Sequence, residues 1–146
     1  MTTPEGVTEM SLEQCWDMLR THEVGRLAFR LVDELHITPI NYAVDQQTLL
    51  FRTGGGNKLL SVAMGSEVAF EIDEYDEDSA RSVVVRGTPR LLGEDEAHRA
   101  EDLPLRPWVR APKYNVVEIV PTDVSGRAFD LSRPWLHMKT DRTASE

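Results

Sequence analysis

From Ser11 onward, apolar residues recur at helical spacing: Leu12, Cys15, Trp16 and Leu19 lie three or four positions apart. This predicts an amphipathic helix over residues 11 to about 22 with Trp16 turned inward. Ser11 and Gln14 stand in the S-x-x-Q arrangement of a capping box, which marks the helix start. Beyond it the period shortens. GRLAFRL (25–31), HITPINYAV (36–44) and QTLLFRT (47–53) are short runs rich in β-branched and aromatic residues, separated by the polar turns VDEL and DQQ. They predict an antiparallel meander, with no Asn-Gly pair to set the turn type.

GGGNKLLSVAMG follows, and three successive glycines suit a tight crossing that opens a short helix closed by Gly65. SEVAFEID (66–73) and RSVVVRGTPRLL (81–92) read as two more strands, the second bent where Gly87 and Pro89 interrupt it. GEDEAHRAED (93–102) reads as a second short helix, and LRPWVRAPK (105–113) as an irregular connection. YNVVEIVP (114–121) and VSGRAFD (124–130) supply the last strands. The expected fold is mainly β: a six-stranded antiparallel split barrel with an N-terminal helix and two short inserted helices, since closure removes exposed sheet edges in so small a domain. Residues 1–10 form an N-terminal extension, 11–130 the barrel domain, and 131–146 a tail that is either frayed or docked on a partner subunit.

Composition narrows the classes of function. The 146 residues suit one domain with a core of its own, and the single cysteine, Cys15, cannot form an intrachain disulfide. A formal net charge of -9 opposes generic attraction to nucleic acid or anionic membrane, so any bound phosphate must be small and locally coordinated. The N-terminus lacks a signal-peptide pattern, and no run of about 18 apolar residues occurs. The expectation is a cytoplasmic protein. His22, His36, His98 and His137 are scattered, with no H-E-x-x-H and no Cys/His pairing, so no metal site is expected.

The densest chemistry lies in LLFRTGGGNKLL (49–60). A strand ends in Arg52 and Thr53, a glycine loop permits close backbone approach, and Asn57 and Lys58 stand where a helix starts and its N–H groups are free. Arg52 offers a bidentate fork, Thr53 a hydroxyl, Lys58 a point charge and the loop amides a nest, together a phosphate cradle. A flexible glycine turn with solvated Arg and Lys accounts for the same residues equally well. Neither a nucleotide P-loop nor a G-x-G-x-x-G fingerprint is present.

The order GRLAF, TPINYAV, TLLFRT-GGGNK, SEVAFEID, SVVVRGTPRLL and VVEIVPTDVSGRAF, running from about Met10 to Phe129, resembles the pyridoxamine 5'-phosphate oxidase-like split-barrel FMN-binding proteins. It has most in common with short actinobacterial-type members that include flavin- and deazaflavin-dependent reductases. The resemblance implies a homodimer with two flavins in grooves between subunits. It places Thr38, Pro39, Ile40 and Asn41 beside the isoalloxazine and ribityl chain, Arg52, Thr53, Asn57 and Lys58 at the phosphate, and Arg81 and Ser82 at the flavin edge. Relatives often carry Trp-Ser where this chain has Arg81-Ser82, and an arginine does not supply the same apolar wall. Gly126-Arg127 matches a late Gly-Arg pair that serves either flavin contact or barrel structure.

The function so implied is an FMN-dependent oxidoreductase acting on a small substrate, with deazaflavin as an alternative cofactor in the same groove. A non-catalytic flavin, deazaflavin or haem carrier on the same barrel is the alternative, with His36 and His137 the first haem ligands to test. Trp108 and Trp135 either wall the substrate side or pack under a loop or at a subunit contact.

Overall fold

The computed structural model describes residues 4–54, 65–106 and 114–132. The expected first helix is present as α1 (Leu12–Thr21), and its capping box is complete: Ser11 Oγ accepts from the Gln14 N–H, and Gln14 Oε1 accepts from the Ser11 N–H. Cys15, Trp16, Met18 and Leu19 form its buried face.

The strands are β1 (Val7–Glu9), β2 (Val24–Leu31), β3 (Glu34–Asn41), β4 (Ala43–Asp45), β5 (Thr48–Gly54), β6 (Val68–Tyr75), β7 (Ser79–Leu91) and β8 (Tyr114–Asp130). They form one antiparallel sheet in the order β3-β2-β6-β7-β8-β5-β4, with β1 added to β8. The chain passes directly from β3 to β4, the two ends of that order, so the sheet curls into a split barrel. Eight strands replace the expected six. HITPINYAV divides at Tyr42 into β3 and β4, and Val7–Glu9 of the expected extension pairs with Arg127–Phe129. The two predicted final strands are one, because a bulge absorbs their interruption: Arg86 pairs with Asp123 but Gly87 with Pro121. Thr122 is left over, and its hydroxyl bonds to the Arg86 carbonyl.

Tyr42 holds the corner at which the curl closes. Its ring is buried edge-on against Phe70, and its hydroxyl donates to the Leu19 carbonyl at 2.5 Å, tying the corner to α1. Burial of that hydroxyl raises its pKa. The main core fills the barrel with Leu27, Phe29, Leu49, Phe51, Phe70, Ile72, Val83, Val85, Val117 and Ile119 among others. A second cluster of Ala43, Leu50, Leu92, Ala100, Leu105 and Val116 lies on the opposite face of β5 and β8. It is covered by a four-residue 3-10 turn, η1 (Ala97–Ala100), where a short helix was expected. One turn gains too few backbone bonds to sustain an α-helix, so side-chain ion pairs hold it instead. The other expected inserted helix falls on residues 55–64, outside the described residues.

Both two-residue hairpin turns have a positive φ at their first central residue, 56° at Val32 and 56° at Gln46. Val32 is an unfavourable occupant, being β-branched and 91% exposed. Val32→Asn is therefore expected to raise unfolding free energy by about 0.5–1 kcal/mol. A shift in the urea midpoint at constant slope checks this, and no gain would mean that the turn relaxes without cost.

Candidate functional site

The chemistry proposed for β5 depends on which way its side chains point. Successive residues alternate faces. Leu49 and Phe51 enter the main core and Leu50 the second cluster, so Thr53 faces the barrel side and Arg52 the side of η1. A single ligand meets both only past the end of the strand, around Gly54. Thr53 is 3% exposed, and among the described residues its Oγ1 is the buried side-chain oxygen without a hydrogen-bond partner. Arg52 is half-buried and donates from Nη2 to the Ala100 carbonyl at 3.2 Å, its one hydrogen bond among the described residues.

Thr38–Asn41 lies on β3, the end strand of the sheet, paired only with β2 among the described residues. Pro39 is exposed and Thr38 half-buried, whereas Ile40 is buried opposite Gly25. Asn41 is already occupied: Nδ2 donates to the Glu23 carbonyl at 2.9 Å, and Oδ1 accepts from the Arg106 N–H. It fastens the end of β3 to the approaches to β2 and to the segment after η1. Just past it, a cavity of about 640 Å³ opens between the end of α1, the β3–β4 corner and Leu103–Pro104. That volume suits a small molecule.

Arg81 and Ser82 stand elsewhere. Ser82 pairs with Arg127 on β8, whereas Arg52 pairs with Val116, eleven positions away along the same strand. At roughly 3.3 Å per residue this is about 35 Å of strand. The two groups thus sit at well-separated register positions on one curled strand. Arg81 is engaged with Glu74, through Nε at 2.8 Å and through Nη2, and His22 Nε2 lies 2.8 Å from the other oxygen of the same carboxylate. Hydrogen bonds from Arg81 and then His22 hold the Glu74 carboxyl below its ordinary pKa. Gly126 belongs to barrel structure: a Cβ there would stand 2.6 Å from Cys15 Sγ and 2.9 Å from Met10 Sδ. His36 stacks on Phe29 with ring centroids 5.4 Å apart. Asn57, Lys58, Trp108, Trp135 and His137 lie outside the described residues. Among the described residues no group of three His, Cys, Asp or Glu side chains is placed to hold a metal ion, and no helix is long and apolar enough to cross a membrane.

Sequence reasoning passed over Glu118. Its side chain is 4% exposed, and it lies between Arg90 and Arg99. Burial works to raise its pKa, but hydrogen bonds from Arg99, Thr48 and Arg90 outweigh that and hold it below the ordinary value. The signal was a lone carboxylate inside the apolar run VVEIV.

This curled antiparallel sheet matches a known class. The family model for pyridoxamine 5'-phosphate oxidase matches residues 11–128, and the chain belongs to that family. Among solved structures it is similar to an FAD binding protein from Mycobacterium smegmatis: 38% identity, 84% of this chain and 98% of that one covered, TM-score 0.76. It is also similar to a conserved protein of unknown function from Corynebacterium diphtheriae, with 37% identity, coverage of 86% and 99%, and a TM-score of 0.74. An uncharacterized Mycobacterium tuberculosis protein is 37% identical over 87 residues, which are 59% of this chain and 79% of that protein.

Proposed function

We propose that the chain is a homodimeric flavin-dependent oxidoreductase that binds FMN at the exit of β5. Thr53, Arg52, Asn57 and Lys58 meet the phosphate, and the Thr38–Asn41 strand lies beside the ring system. The Thr53 hydroxyl carries the proposal. A buried hydroxyl without a partner costs about 1–3 kcal/mol, and a phosphate oxygen is an acceptor that would relieve the cost. The family and the likeness to an FAD binding protein support a flavin; FMN is the simplest flavin ending in a phosphate dianion, and FAD is the competing ligand.

The eleven-residue offset between Arg52 and Ser82 in the β8 register fits a groove shared by two copies. A groove between two copies can take the phosphate corner from one and the β7 residues Arg81 and Ser82 from the other. Leu35 and Ile37, 74% and 70% exposed on the end strand, are apolar surface that a second copy would cover. When bound, the isoalloxazine supplies hydride or electron transfer. The protein orients the ring through the β3 backbone and excludes water, and the cavity beyond Asn41 offers a place for a small substrate. Flavin carriage without turnover is the second reading, favoured by the ion pair that holds the Arg81 guanidinium on Glu74.

Thr53→Val tests the site. The variant is expected to bind FMN about tenfold more weakly, while the ligand-free protein gains about 1 kcal/mol because the unpartnered hydroxyl is gone. Flavin fluorescence titration and urea unfolding give the two quantities. An unchanged FMN titration refutes the phosphate contact at Thr53, and parallel titrations with FAD and a deazaflavin decide the cofactor.

A further inference from the structure

The outer face of β4, β5, β7 and β8 carries a charge cluster outside the proposed ligand contacts. Glu118 Oε1 accepts from Arg90 Nε at 2.7 Å, and Oε2 accepts from Arg99 Nη2. Arg99 Nε also reaches Asp45 Oδ2 at 2.7 Å, and Arg90 Nη2 reaches Glu96 Oε2 at 2.6 Å. Two guanidiniums and two further carboxylates, from β4, β7 and η1 with its N-cap, thus gather around the one buried carboxylate of β8. Desolvating Glu118 is costly, and the neighbouring apolar cluster of Leu50, Leu92 and Val116 would accept a leucine there.

The charges provide an orientation that a leucine would not. Two of the five residues, Glu96 and Arg99, belong to η1 or its N-cap, and that turn has no side-chain cap of its own. The cluster therefore fixes the turn to the sheet, and with it the Ala100 carbonyl that receives Arg52 Nη2. An arginine anchored through one nitrogen loses less freedom when its remaining N–H groups meet a phosphate.

We propose that Glu118 and Arg99 are positioning residues for Arg52, acting through η1 and the Ala100 carbonyl to set the guanidinium for an anionic ligand at the β5 exit. The proposal rests on the reading that Arg52 meets the flavin phosphate. It predicts coupling between positions 118 and 52 in binding, beyond any effect on stability.

The test is a double-mutant cycle on the full chain with Glu118→Gln, Arg52→Ala and the double variant. FMN dissociation constants are read by fluorescence quenching at a temperature where circular dichroism shows each protein folded. Arg52→Ala is expected to weaken binding about tenfold. Glu118→Gln should weaken it about three- to tenfold when Arg52 is present and by less than about twofold in the Arg52→Ala background. Arg99→Lys, which keeps the charge but loses the fork, should behave as Glu118→Gln does, and it substitutes for that variant if the glutamine protein does not fold. If Arg52→Ala weakens binding but Glu118→Gln costs the same in both backgrounds, the positioning role is overturned while the phosphate reading stands. If Arg52→Ala leaves binding unchanged, Arg52 does not meet the phosphate and both fall together.

Discussion

Alanine at position 25 is expected to destabilise the protein by about 2–4 kcal/mol, an unusually large effect for one added methyl group. The Cβ would stand 2.2 Å from Phe70 Cζ and 2.9 Å from the backbone oxygen of Glu71, and neither can retreat freely. Phe70 is fully buried and its ring meets Tyr42 edge-on at 4.7 Å between centroids. Phe70→Leu in the Gly25→Ala background should recover part of the loss, so the double variant should be more stable than the two single costs added together. Urea unfolding of the four proteins measures this, and strict additivity would show that the clash is relieved elsewhere. The consequence reaches the site, because Gly25 pairs with Ile40 in the strand proposed to lie beside the flavin.

Glu118→Ala should cost about 2–4 kcal/mol, less than the upper figures for buried pairs because Arg90 and Arg99 keep partial access to water. Its pH dependence is the sharper expectation. The folded carboxyl titrates below its ordinary value of 4.5, so its contribution is complete at neutral pH. It declines only as pH falls below that value, and it is lost once the folded carboxyl is protonated. The stability gap between wild type and Glu118→Ala should therefore be constant from neutrality down to about pH 5 and close progressively in stronger acid. Denaturant midpoints across that range decide the matter. A gap that persists undiminished at the acid end would assign the loss to a packing cavity, with no part for the ion cluster.

The Thr53 and Glu118 positions show two kinds of legibility. That Arg52 and Thr53 would point to opposite faces follows from strand alternation alone, once the strand is placed. That Thr53 Oγ1 would be buried without a partner among the described residues does not, because it depends on the main core closing around the end of β5. The lone glutamate in VVEIV was visible, but its partners Arg99 and Arg90 stand 19 and 28 residues away, and nothing local names them.

The sequence by itself determined α1 and its cap, the meander, the inward Trp16 and Cys15, and the irregularity at Gly87, because helical period, strand alternation and capping act within a few residues. Only the tertiary structure decided that Tyr42 divides a predicted strand, that Val7–Glu9 joins the sheet and that one long β8 replaces two strands. It also placed Ser82 and Arg52 against β8 positions eleven residues apart, Arg127 and Val116. These outcomes come from closing the curl, where the partner of each strand is chosen by burial of distant side chains in one core.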